Sequence, residues 1–107
     1  MPARESPLVG RWRIVEMELW DADFLDLVEP AYILFEAKGG GEFGFGAVRG
    51  GLDCRYSRDG VSFTWQGFDK MDPASGAGSA TLDETGALTG EIRFHLGDES
   101  TFKARRW

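Results

Sequence analysis

Apolar side chains recur at every second residue through most of this chain, the period that sends alternate side chains to opposite faces of a β-strand. Seven stretches alternate in this way and an eighth is rich in glycine: residues 9–19, 31–37, 41–48, 51–57, 61–66, 76–82, 87–96 and 100–107. Phe43 and Phe45 share a face of the third, Leu52, Cys54 and Tyr56 a face of the fourth, and Val61, Phe63 and Trp65 a face of the fifth. Leu88, Ile92, Phe94 and Leu96 share a face of the seventh. The apolar set is odd-numbered in the third stretch and even-numbered in the fourth, so one continuous strand would turn half of it to water. A tight turn or bulge at Arg49-Gly50 is therefore expected.

The remaining joints are short. Residues 57–60 and 83–86 read as type I turns closed by a glycine, and residues 97–99 link the last two strands, which makes sequential neighbours antiparallel. Residues 69–73 read as a solvated turn. The single helical signal covers residues 21–29, where Asp21 or Asp23 can cap the start and Pro30 stops the turn. Phe24, Leu27 and Val28 then share a face expected to lie on the end of the sheet, as a plug or as a gate over a ligand. With no linker and no internal repeat, residues 1–107 form one domain, long enough to bury a core without disulfides or metals.

An even number of antiparallel strands lets the first pair antiparallel with the last and removes both sheet edges. The expected fold is all-β: an eight-stranded antiparallel up-and-down barrel with one short helix between the first two strands. Fifteen glycines beside eight Phe and four Trp suit such tightly curved sheet. Gly10 and Trp12 open the first strand, and Arg106, in phase with inward Phe102 and Ala104, ends the last; antiparallel pairing sets Trp12 opposite Arg106, where a guanidinium stacks on an indole. In Gly10-x-Trp12 and Arg106 the chain resembles the calycin superfamily of lipocalins, fatty-acid-binding proteins and avidins. The resemblance implies that these residues close one end of a barrel. It covers two short motifs and the strand count, in a chain much shorter than a typical lipocalin.

Taking Trp12 and Ile14 as inward places Glu16 and Glu18 inward as well, and a buried acid needs a partner. One reading makes Glu16 the polar contact at the base of a pocket lined by Phe35, Phe43, Tyr56, Phe63 and Trp65, for a small apolar ligand bearing a polar or cationic group. The other is a bulge that turns both acids to water. An eight-stranded barrel is only just wide enough to be filled by side chains, so any such ligand is small. The same phase turns Val15, Met17, Tyr32 and Leu34 outward, an apolar patch on which two copies of the chain could pair as a homodimer. With Leu96 opposite Ser100, Arg93 faces Lys103 and Glu91 faces Arg105, and Arg11 and Arg13 complete a basic outer patch.

Catalysis and cofactors find little support. His95, the single histidine, lies out of phase with Phe94 and Leu96 and so points outward; one His and one Cys assemble neither a metal site nor a catalytic triad, and no cofactor is implied. A net charge of −6 repels nucleic acid and anionic membranes. The lone Cys54 forms no internal disulfide, no apolar run approaches the roughly 18 residues of a membrane helix, and residues 1–8 lack the core of a secretory signal, so the expected compartment is the cytoplasm. The sequence thus points to a non-enzymatic binding barrel, with a self-associating interaction module as the alternative.

Overall fold

Strand pairing follows the chain order all the way round. The computed structural model describes residues 6–107; residues 1–5, part of the stretch read as lacking a secretory signal, lie outside the described residues. The elements are β1 (Gly10–Met17), α1 (Ala22–Leu25), β2 (Tyr32–Phe35), β3 (Gly40–Phe45), β4 (Val48–Tyr56), β5 (Gly60–Asp69), β6 (Asp72–Leu82), β7 (Leu88–Phe94) and β8 (Glu99–Arg106). Each strand pairs antiparallel with the next, and β8 returns to β1, closing an eight-stranded up-and-down barrel.

Large inward rings stand opposite inward glycines, and this pairing fills the interior. Phe43 faces Gly50, Phe63 faces Gly78, Trp65 faces Gly76 and Phe102 faces Gly90 across neighbouring strands. A Cβ on Gly50 would lie 2.6 Å from Phe43 and 2.9 Å from Trp65; one on Gly78 would lie 2.6 Å from Phe63. At Gly50 the missing side chain is the space the rings occupy; at Gly76, Gly78 and Gly90 a Cβ would meet both the partner ring and, closer still, a backbone carbonyl of a neighbouring strand. Phe43 meets Trp65 edge-on at 5.1 Å and Phe35 meets Phe63 at 6.2 Å.

Trp12 pairs with Arg106, whose guanidinium carbon sits 4.0 Å from the indole centroid. The Trp12 indole donates to the Leu8 carbonyl at 2.9 Å, while Arg106 donates to the carbonyls of Val9 and Pro7 at 2.8 and 2.7 Å. Gly10 adopts φ +128°, and a Cβ there would lie 2.6 Å from the Arg106 guanidinium. Glycine is needed at this position both for its backbone conformation and for the approach of the arginine.

Four local expectations are corrected. The β3–β4 turn is at Gly46-Ala47, not Arg49-Gly50: Phe45 pairs with Val48, and Gly46 takes φ +57° with the Phe24 ring 2.4 Å from where a Cβ would be. The solvated turn read over residues 69–73 narrows to the two-residue tip Lys70-Met71, because β5 and β6 run on to Asp69 and Asp72. The β7–β8 hairpin pairs Ile92, not Leu96, with Ser100, so Leu96 is in the connecting loop at φ +57° and 96% exposed. The helix ends at Leu25, since the Asp26 side chain is drawn to Arg13 and to the Ala31 amide; Leu25 and Phe24 pack inward while Leu27 and Val28 are exposed.

Candidate binding site at the α1 end

The residues expected to form an interior pocket divide. Phe35, Phe43, Phe63 and Trp65 are buried in the core, and Tyr56 is partly buried with its hydroxyl donating to the Glu36 carbonyl at 2.7 Å. Glu16 is not among them. The β1–β8 register shifts between Ile14 and Glu16, so the inward set runs Trp12, Ile14, Met17, and Glu16 turns to solvent 3.7 Å from Lys103. The cost of burying a carboxylate with no partner is relieved by one extra residue in β1.

The same bulge corrects the outer patch. Met17 is buried and points inward, leaving Val15 exposed, while Leu34 is half-buried opposite Arg11. Tyr32 does face outward, but it is covered: Arg11 lies 4.8 Å over its ring, and its hydroxyl donates to Glu42 at 2.7 Å. Burial, then the Glu42 hydrogen bond, push the Tyr32 phenol up to about 12. The expected basic patch is also rearranged, because Arg93 sits opposite Glu99 and Glu91 opposite Thr101. Arg93 pairs with Glu91, Lys103 with Glu16 and Arg13 with Asp26, so three of those five cations are matched by carboxylates.

The two ends of the barrel differ in kind. At the end where Trp12 and Arg106 sit, the connections at residues 36–39, 57–59 and 83–87 carry no large apolar side chain, and the exposed Trp107 ring lies under the guanidinium groups of Arg11 and Arg13. At the opposite end, where α1 lies, Leu19, Leu27, Val28, Phe68, Met71 and Leu96 are all exposed, Met71 to 90%. Single exposed apolar residues need no explanation, but such a concentration on one end does. Leu96 also takes a left-handed backbone conformation that a leucine adopts at a cost of about 1 kcal/mol.

A cleft of about 360 Å3 opens at this end, lined by none of those six side chains. Trp20, Phe24, Val48 and Phe94 form its apolar walls, and Asp69, His95 and Asp98 place polar groups on it. Trp20 is the hub: its ring lies 5.9 Å from Phe24, 5.2 Å from Phe45 and 6.0 Å from Phe94, and Phe94 in turn meets Trp65 edge-on at 5.1 Å. One aromatic network therefore runs from the mouth to the core. The loop is held by the backbone, with His95 donating to the Ser75 carbonyl and Phe94 to that of Asp98, both at 2.8 Å. A second, more open depression shares Pro73, Ala74, Ser75 and His95 with the cleft and continues onto the outer wall.

Among the described residues, no group of three or more His, Cys, Asp or Glu side chains is placed to hold a metal ion. Burial, then the Asp53 carboxylate, push the Cys54 thiol up to about 11, which leaves it a poor nucleophile at neutral pH. No helix is long and apolar enough to cross a membrane. No protein-family model, curated protein or solved structure matches the chain.

Sequence reasoning missed this site because strand period does not say which strand ends meet. Trp20 precedes α1 and Phe24 lies in it, His95, Gly97 and Asp98 come from the β7–β8 connection, and the rest of the lining comes from the ends of β4, β5, β6 and β7. A usable signal was the apolar content of the turns themselves, Lys70-Met71 and His95-Leu96, in positions that chain chemistry reserves for polar residues.

Proposed function

We propose that this chain is a non-enzymatic, calycin-like barrel that binds a small apolar group at its α1 end. The Gly10, Trp12 and Arg106 clasp supports the calycin likeness. One observation carries the function: a cleft with aromatic walls opens on the end that collects six exposed large apolar side chains, and the opposite end has none in its connections. The cleft volume lies at the low end of the range for ligand sites, and its lining combines four large apolar side chains with the polar groups of Asp69, Ser75, His95 and Asp98. Packing of Phe35, Phe43, Phe63 and Trp65 favours this location over the barrel interior.

The test uses N-phenyl-1-naphthylamine, a neutral apolar fluorophore. It is expected to brighten on titration with the parent protein and to quench Trp20. Ala74→Trp fills the cleft from a wall position and should weaken the probe about tenfold or more, the value of one lost apolar contact set. Ser57→Trp, on the opposite end, should leave it unchanged. Equal binding by the parent and Ala74→Trp would overturn this location, and no binding by the parent would overturn the function.

A further inference from the structure

We propose that the apolar group held at the α1 end is carried by a cationic polypeptide segment of a partner protein. The inference rests on the binding reading above and names the partner's chemistry. Its ground is the charge that surrounds the apolar tips. Glu18, Asp21 and Asp23 precede or begin α1, Asp69 and Asp72 flank the Lys70-Met71 tip, and Asp98 and Glu99 follow Leu96. Seven carboxylates thus stand at this end against the ammonium of Lys70, and none of the seven is in an ion pair among the described residues. Two further acids of the same end, Asp26 and Glu29, are matched by Arg13 at 2.7 Å and Arg49 at 2.9 Å. The barrel pairs cations with acids where the α1 segment is held down, whereas the seven rim acids carry no ion pair among the described residues.

That collar decides among the occupants an apolar face can have. A second copy would bring seven more carboxylates against the first seven, and an anionic bilayer would be repelled in the same way. A cationic chain gains instead, since acids and apolar side chains stand together on three of the four connections: Glu18 beside Leu19, Asp69 and Asp72 about Met71, Asp98 and Glu99 after Leu96. A segment that interleaves Lys or Arg with large apolar residues matches both halves of this pattern, the apolar anchor entering the aromatic cleft while the cations meet the rim.

The experiment compares two fluorescent peptides with the same Leu and Trp positions, one with Lys and the other with Glu at every remaining position. The Lys peptide is expected to bind the full chain, more weakly as salt is raised, and the Glu peptide to bind at least about tenfold more weakly. Asp72→Lys combined with Glu99→Lys reverses two rim charges outside the cleft walls. It should weaken the Lys peptide about tenfold and leave N-phenyl-1-naphthylamine binding as it was. Equal binding of the two peptides, or no effect of the double variant, overturns the cationic partner; persistence of the naphthylamine signal then shows that the cleft reading has survived without it. Doubling of the light-scattering mass, or flotation with phosphatidylcholine vesicles while the Lys peptide fails to bind, likewise overturns the proposal.

Discussion

Gly50→Val is expected to destabilise the protein by about 3 kcal/mol or more, whereas Gly51→Val, its immediate neighbour, is expected to change stability by less than about 1 kcal/mol. The two glycines share a strand and point to opposite faces. At Gly50 the three nearest atoms to an added Cβ are all ring atoms, of Phe43 and Trp65, between 2.6 and 3.1 Å away. At Gly51 the nearest is a backbone oxygen at 4.0 Å, in ordinary contact, and the position is exposed. Urea unfolding of the two variants reads the difference directly, and since a small domain has only about 5–15 kcal/mol in total, the midpoint shift for Gly50→Val is large. Phe43→Ala removes the obstructing ring at its own cost of about 3–5 kcal/mol, so the double variant should lose at least about 1 kcal/mol less than the two single losses combined. Similar losses at Gly50 and Gly51 would mean that glycine here serves backbone flexibility and not ring packing.

The clasp gives the second large effect. Trp12→Ala removes a buried indole that holds Leu8 and supports Arg106, and a loss of about 3–5 kcal/mol is expected. Arg106→Ala should cost less, about 1–3 kcal/mol, because the side chain is at the exposed rim and loses one stacking contact and two hydrogen bonds. Lysine is a poor substitute, having no planar fork to stack on the ring while reaching the carbonyls of Val9 and Pro7. Thermal unfolding of the three variants checks the order Trp12→Ala, Arg106→Ala, parent. Melting temperatures of Trp12→Ala and the parent within a degree or two would contradict the role given to the clasp.

The fold was legible because its determinants are local and periodic. Strand alternation, an even strand number and the terminal Trp12 and Arg106 lead to the same closed barrel that the backbone adopts. Where the sequence misled, a glycine or a bulge was involved. Arg49-Gly50-Gly51 looks like a turn, yet Gly50 is the gap for a ring, and the real turn needs Gly46 because Phe24 packs over it. In β1 the spacing Trp12, Ile14, Met17 already contained the bulge, since only a shift after Ile14 spares Glu16 from burial. Phase carried past that point sent Glu16 inward and Met17 outward, and the pocket base and one of the four outer-patch residues went with it. The α1-end cleft was hidden for a different reason: it is assembled from the β1–β2 segment, the β7–β8 connection and the ends of four strands, and periodicity carries no information about which of these meet at a barrel end.

The central claim is that the interior is closed by ring and glycine pairs, so binding takes place at the α1 mouth. The tryptophan indole N–H signals in a 1H–15N spectrum test it most directly, because the rings are distributed along the barrel. Trp12 is at the clasp, donating to Leu8; Trp65 is in the core, donating to the Arg93 carbonyl at 3.2 Å; Trp20 is on the cleft wall. Saturating N-phenyl-1-naphthylamine should move the Trp20 signal most, the Trp65 signal less through Phe94, and the Trp12 signal not at all. Large shifts at Trp65 and Trp12 with Trp20 unmoved would place the ligand inside the barrel and contradict the account.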